Sequence, residues 1–222
     1  MSDQQFIAIG DIHGCYKSME AILEKLKPYD DRQLVFVGDY IDRGPDSKKV
    51  IERLIALGKE VDAVFLRGNH EQMMLDAIYK GNFNLWMMNG GRSTLRSYNM
   101  GMHSLDFPEE HLEFLNNTKL YYETEDYFFV HAGLSPAKTI EESLGDEQEM
   151  KEFLWERSHL NAYETPWEKT VVFGHTPRPN PLKKEHMLGI DTGCVYERAG
   201  YGKLTAVKLP EVEFIQQVCL DR

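Results

Sequence analysis

Side chains that bind metals or move protons recur in short clusters, each directly after an apolar run. Gly10-Asp11-Ile12-His13-Gly14 follows Phe6–Ile9, and Gly38-Asp39-Tyr40-Ile41-Asp42-Arg43-Gly44 follows Leu34–Val37. Arg67-Gly68-Asn69-His70-Glu71 follows Ala63–Leu66, His131-Ala132-Gly133 follows Tyr127–Val130, and Gly174-His175 follows Val171–Phe173. One Gly-Asp pair is a common turn, and one Asp after a strand commonly caps a helix. Five strand ends in order, each delivering Asp, Asn or His, are more than turn chemistry accounts for. In open α/β sheets the carboxyl ends of strands face the ligand crevice, so these side chains can converge there. The flanking glycines let the backbone turn sharply and leave room beside an ion or a phosphate.

Oxygen and imidazole donors without thiolates suit a divalent ion such as Mn²⁺, Fe²⁺ or Zn²⁺. Asp11, His13, Asp39, Asn69, His131 and His175 are too many for one catalytic ion that must keep open positions. They suit two ions sharing a carboxylate, spaced roughly 3.5–4 Å apart. Arg43 and Arg67, in the same loops, offer the paired donors that a phosphate dianion favours.

The elements that must carry these clusters alternate in type. Helices are expected over Tyr16–Leu26, from Asp46 or Ser47 to Leu57 with Gly58 as the stop, and over Glu71–Tyr79. A βαβαβα order implies a largely parallel sheet with helices packed on it. Residues 80–126 break the pattern with glycines, Trp86, Met87 and Met88 and a helix near Glu109–Asn116, and read as a helical cap insertion. The remainder is richer in strands, at Leu188–Ile190, Leu204–Val207 and Glu213–Val218. The acidic run Glu141–Glu152 is expected on a solvated surface. Met73, Met74, Met87 and Met88 are expected to fill the junction of core and cap.

With 222 residues and no internal repeat, a single domain over 1–222 is the simplest organisation. A net charge of −11 argues against general nucleic-acid binding. No apolar run approaches the ~18 residues of a membrane span, and MSDQQFIAIGDIHG lacks the features of a signal peptide. The three cysteines, Cys15, Cys194 and Cys219, are an odd number, far apart and without CxxC spacing. That suits a reducing compartment and no disulfide framework, so a cytoplasmic location without membrane attachment is expected. The oligomeric state is left open.

GDIHG, GDYIDRG, LRGNHE, HAGL and GHTP, in this order, resemble the phosphoprotein phosphatase branch of the metallophosphoesterases. The motifs run from Gly10 to Pro177, and the tail segments IDTGCVY and GKLTAV resemble the bacterial and phage members. The resemblance implies an α/β metallophosphoesterase-like αββα sandwich with two packed sheets. It implies two divalent metal ions, Mn²⁺ first, with Asp11 and His13 holding one, Asp39 bridging, and Asn69, His131 and His175 holding the other. His70 would be the general acid and Asp42 its orienting partner. Arg43 and Arg157, the latter in Trp155-Glu156-Arg157, would bind the phosphoryl oxygens, with Arg67 as a helper.

The implied activity is hydrolysis of phosphoserine and phosphothreonine in proteins, with phosphotyrosine as a further class, by direct attack of a metal-bridging hydroxide. The partners would be phosphoproteins or phosphopeptides. A symmetrical dinucleoside tetraphosphatase is the enzymatic rival; Asp42 and Glu71 favour the protein phosphatase. A catalytically dead phosphopeptide-binding module fits poorly with every ligand retained. This chain departs from the family in a loop about four residues longer at 197–200 and in lacking the SAPNY-type segment of eukaryotic members.

Overall fold

The computed structural model describes residues 4–29, 32–101, 104–145 and 147–221. Two five-stranded sheets carry it. The first contains β1 (Phe6–Ile9), β2 (Gln33–Phe36), β3 (Ala63–Phe65), β9 (Lys203–Leu209) and β10 (Glu213–Val218), in the order β10-β9-β1-β2-β3. The second contains β4 (Tyr121–Glu123), β5 (Tyr127–Val130), β6 (Thr170–Phe173), β7 (Leu182–Lys184) and β8 (Met187–Gly189), in the order β4-β5-β6-β8-β7. Each sheet has three parallel strands, β1, β2 and β3 in one and β5, β6 and β8 in the other, flanked by antiparallel strands.

The side-chain alternation of a strand assigns each residue a layer. Phe6, Ala8, Val35 and Val37 face Phe129, Val172, Leu188 and Ile190 between the sheets. Ile7, Ile9, Leu34 and Phe36 point the other way, into a core closed by α1 (Tyr16–Leu26), α2 (Ser47–Glu60) and α3 (Asn69–Lys80). Phe128, Val130, Val171 and Phe173 meet Ile140, Phe153 and Trp167 on the far side of the second sheet. The result is the αββα sandwich implied by the motifs rather than one open sheet.

Residues 83–116 add α4 (Phe83–Met88), α5 (Gly91–Ser97) and α6 (Glu109–Asn116), whose Trp86, Leu95 and Leu115 extend the first core. The helical insertion ends earlier than expected, because residues 121–123 already form β4 and pair with β5. Gly58 does not stop α2. The helix runs on to Glu60, and Phe65 packs where a Cβ on Gly58 would point, at 3.0 Å. Met73 and Met74 are buried as expected, whereas Met88 is 85% exposed and takes no part in the junction. Glu141, Glu142, Glu147 and Glu152 are exposed; Asp146 and the Glu149 side chain lie outside the described residues. Among the described residues no helix is long and apolar enough to cross a membrane.

Candidate metal and phosphate site

All six parallel strands end at one place. The turns after β1, β2 and β3 supply Asp11, His13, Asp39, Asn69 and His70; those after β5 and β6 supply His131 and His175. The glycine preceding a donor makes room for a donor from another loop. A Cβ on Gly68 would collide with the Asp39 carboxylate, and one on Gly174 with that of Asp11. The backbone itself is forced: His13, Asp39, Asp42, Arg43 and His175 all have positive φ, between 47° and 71°. Side chains other than glycine rarely adopt that region, and its concentration here marks a built site.

Asp39 sits at the middle. Its Oδ1 lies 3.4 Å from His131 Nε2, and its Oδ2 lies 3.5 Å from His13 Nε2 and 4.0 Å from His70 Nε2. On the first side, His131 Nε2, His175 Nδ1 and Asn69 Oδ1 lie within 3.0–3.2 Å of one another. One carboxylate thus faces two donor groups, one through each oxygen. Asp11 lies beside them and accepts the His175 amide with both oxygens.

The tautomers suit ligation. His13 Nδ1 donates to the Ile41 carbonyl at 2.9 Å, and His131 Nδ1 to that of Val37 at 2.8 Å, so the lone pair of each ring is on Nε2. Burial lowers the pKa of both rings, and burial followed by the His131 charge takes His175 to about 2. All three are therefore neutral ligand forms. Burial opposes ionisation of Asp39, and any charge on the surrounding imidazoles, His131 first, pulls its pKa down. Oxygen and imidazole donors around a shared carboxylate fit a divalent metal site.

His70 belongs to a second arrangement at the same place. Its Nδ1 donates to Asp42 Oδ2 at 2.7 Å, while the ring lies edge-on to His13 with centroids 4.7 Å apart. Burial works against the charged ring, yet Asp39 and Asp42 together raise its pKa. Asp42 is buried completely and held from the cap: Trp86 Nε1 donates to both its oxygens at 3.0 Å, and Thr94 Oγ1 to Oδ1 at 2.6 Å.

The arginines divide. Arg43 donates to His13 Nε2 at 2.6 Å and lies 5.6 Å over the Tyr196 ring. Arg157 stands at the rim, its Nε 3.3 Å from Thr176 Oγ1, beside a Trp155 that is 39% exposed and edge-on to His175. Arg67, expected beside phosphate, turns the other way. Its guanidinium donates to Thr118 Oγ1, Gln72 Oε1 and the Asn116 carbonyl, strapping the end of α6 to the start of α3. The exposed 197–200 loop follows Tyr196, whose ring lies under Arg43.

Asp191, the structural role of Glu71 and the anchoring of Asp42 by Trp86 and Thr94 escaped the sequence reading. Asp191, after β8, is buried, and its charge is close enough to help raise the pKa of Asp11. The signal was present, since Leu188–Ile190 ends in Asp like the other strands. Glu71 accepts from the backbone amides of Asp39, Tyr40 and Gly68 at 2.8–2.9 Å and of Ile41 at 3.3 Å, and so shapes the Asp39 loop.

A family model of calcineurin-like phosphoesterases matches residues 5–202. The chain belongs to this family. It is 32% identical over 213 residues to serine/threonine-protein phosphatase 1 of Salmonella typhimurium, covering 90% of each chain. It is 31% identical over 233 residues to the asymmetrical bis(5'-nucleosyl)-tetraphosphatase PrpE of Oceanobacillus iheyensis, covering 93% of this chain and 89% of that one. A cold-active protein-tyrosine phosphatase of a psychrophilic Shewanella shares the fold, with a TM-score of 0.68 and 17% identity over 100% of this chain and 80% of that one. This calcineurin-like phosphoesterase is accordingly a phosphoester hydrolase of the metal-dependent class.

Proposed function

We propose that the chain hydrolyses phosphoserine and phosphothreonine monoesters in proteins, using two divalent ions, Mn²⁺ first. The observation that carries this reading is the His70–Asp42 pair, 2.7 Å apart and anchored by Trp86 and Thr94. A serine or threonine alkoxide is a poor leaving group and needs a proton as it departs, whereas the nucleotide phosphate released from a dinucleoside polyphosphate leaves as a stable anion. A buried, oriented acid is worth building for the first reaction and adds little to the second.

Asp11, His13 and Asp39 would hold one ion, and Asp39, Asn69, His131 and His175 the other. Ions held there supply Lewis-acid activation of water and neutralise phosphoryl charge. Arg43 and Arg157 bind the phosphoryl oxygens and orient phosphorus over Asp39. His70 presents its Nε2 proton to the departing oxygen, while Asp42 fixes the ring through Nδ1 and stabilises the protonated form. Trp155 offers an apolar edge for the peptide beside the phosphate.

A second reading, dinucleoside tetraphosphate hydrolysis, is favoured by the similarity to the Oceanobacillus protein. Turnover of a phosphoserine peptide and of diadenosine tetraphosphate with Mn²⁺, side by side, tests the choice. A higher kcat/KM on the peptide is expected. Preference for the nucleotide would overturn the reading, and its products would name the alternative: two ADP for symmetrical cleavage, AMP and ATP for asymmetrical.

A further inference from the structure

The three cysteines of the chain, separated by up to 204 positions in sequence (219 less 15), meet in space. Cys15 is the N-cap of α1, Cys194 lies in the turn after Asp191, and Cys219 follows the last residue of β10. Their sulfurs all lie within 4.8 Å of one another. Cys15 and Cys194 are 1% exposed, while Cys219 is only partly covered, which leaves an approach from solvent. None is disulfide-bonded.

We propose that Cys15, Cys194 and Cys219 form a second metal site, distinct from the His/Asp centre, for a thiophilic ion of the zinc class. A buried cysteine alone behaves as a small apolar side chain. Three segments delivering every cysteine of the chain to one point are not explained by packing, which any alanine or valine would serve. A disulfide would use two sulfurs and strand the third, whereas an ion uses all three. Zn–S bonds of about 2.3 Å in tetrahedral geometry put sulfurs roughly 3.8 Å apart, so small inward side-chain movements suffice. Each thiol releases its proton to solvent on ligation, and no electrons move.

The surroundings hold the three segments ready. Asp221, two residues after Cys219, accepts from the Lys17 and Ser18 amides at 2.7 and 2.9 Å and from the Ser18 hydroxyl. Leu220 N donates to Ser18 Oγ at 2.9 Å, and Cys219 N to the Gly202 carbonyl at 2.9 Å. On the inner side, Cys15 Sγ donates to the His13 carbonyl at 3.7 Å. An ion at the thiols would pin the end of the chain to the turn that carries His13.

Cobalt(II) and zinc titrations of the chelator-treated full chain test the proposal. His and Asp ligands give no thiolate-to-cobalt charge-transfer band, so a near-ultraviolet band reports the cysteines alone. The expected result is such a band, its loss on adding Zn²⁺, and at least tenfold slower reaction of the thiols with a disulfide reagent when Zn²⁺ is bound. Cys219→Ser should weaken cobalt binding at this band more than about tenfold while leaving the His/Asp ions in place. If wild-type protein gives no band, or if Zn²⁺ leaves thiol reactivity unchanged, the site does not exist. These two measurements need no variant, so a misfolded cysteine mutant cannot obscure the answer.

Discussion

Trp86 Nε1 lies 3.0 Å from each carboxylate oxygen of Asp42. Trp86 belongs to the helical insertion and Asp42 to the loop after β2, so the cap reaches under the site and holds the Asp42 carboxylate. Thr94, also from the insertion, donates to the same carboxylate. The insertion is thereby tied to the Asp42–His70 pair, and under the proposed function to proton transfer through it.

His70→Asn should reduce turnover of phosphoserine peptides by about 10²–10⁴-fold, the usual worth of general acid catalysis. The loss on p-nitrophenyl phosphate, whose leaving group departs unaided, should be clearly smaller. Trp86→Phe, which keeps the ring and removes the donor, should show the same ordering at about tenfold. Equal losses on both substrates would remove His70 from leaving-group protonation.

Asp39→Asn should weaken both groups of donors at once, since each of its oxygens faces one of them. Metal analysis after gel filtration should find a clear loss of bound ions, with turnover lower by orders of magnitude. Chelation should abolish wild-type activity and Mn²⁺ restore it. Full metal content with near-normal turnover in the variant would refute the bridging role.

Arg157→Ala and Arg67→Ala should separate cleanly. The first should weaken inhibition by inorganic phosphate and lower kcat/KM without changing the melting temperature. The second should leave phosphate inhibition alone and destabilise the fold by about 1–3 kcal/mol, because several partly buried hydrogen bonds are lost. A change in phosphate inhibition for Arg67→Ala would return that residue to the site.

His159 is buried against Phe173 and Trp167, and neither ring nitrogen has a hydrogen-bond partner among the described residues. Burial lowers its pKa from 6.5 to about 4. The unfolded chain therefore binds the proton more readily, and unfolding takes one up between those values. Its contribution is fully present above pH 6.5 and is lost as pH falls toward 4, by up to about 3 kcal/mol. Urea midpoints of His159→Phe should fall less steeply than wild type across that interval. Parallel curves would show that His159 is not the sensitive group.

The strands and their donor ends were readable in the sequence because two local signals coincide, an apolar run and a Gly-donor pair. Asp191 carries only the first of these signals, since it ends an apolar run but follows Ile190 rather than a glycine. Arg67 misled because proximity in sequence to Asn69 and His70 says nothing of direction: β3 ends, and the side chain leaves on the α6 side. Glu71, Trp86 and Thr94 act through groups 31, 44 and 52 positions away, beyond the reach of local pattern. Gly58 looked like a helix stop because its tolerance depends on a ring, Phe65, from the next strand.

The left-handed backbone at His13, Asp39, Asp42, Arg43 and His175 has a consequence for any attempt to make this protein more robust. Each such residue costs the fold roughly 1 kcal/mol relative to glycine, so under the proposed function stability and catalysis compete at the same five positions. Under the proposed function, a glycine at any of them that raised heat resistance would do so at the expense of turnover. Arg43→Gly should melt higher than wild type while losing turnover; a lower melting point would show that its contact with His13 outweighs the strain. Thermostable variants that stay active must therefore draw their improvement from the sheets and helices and leave the loops under tension.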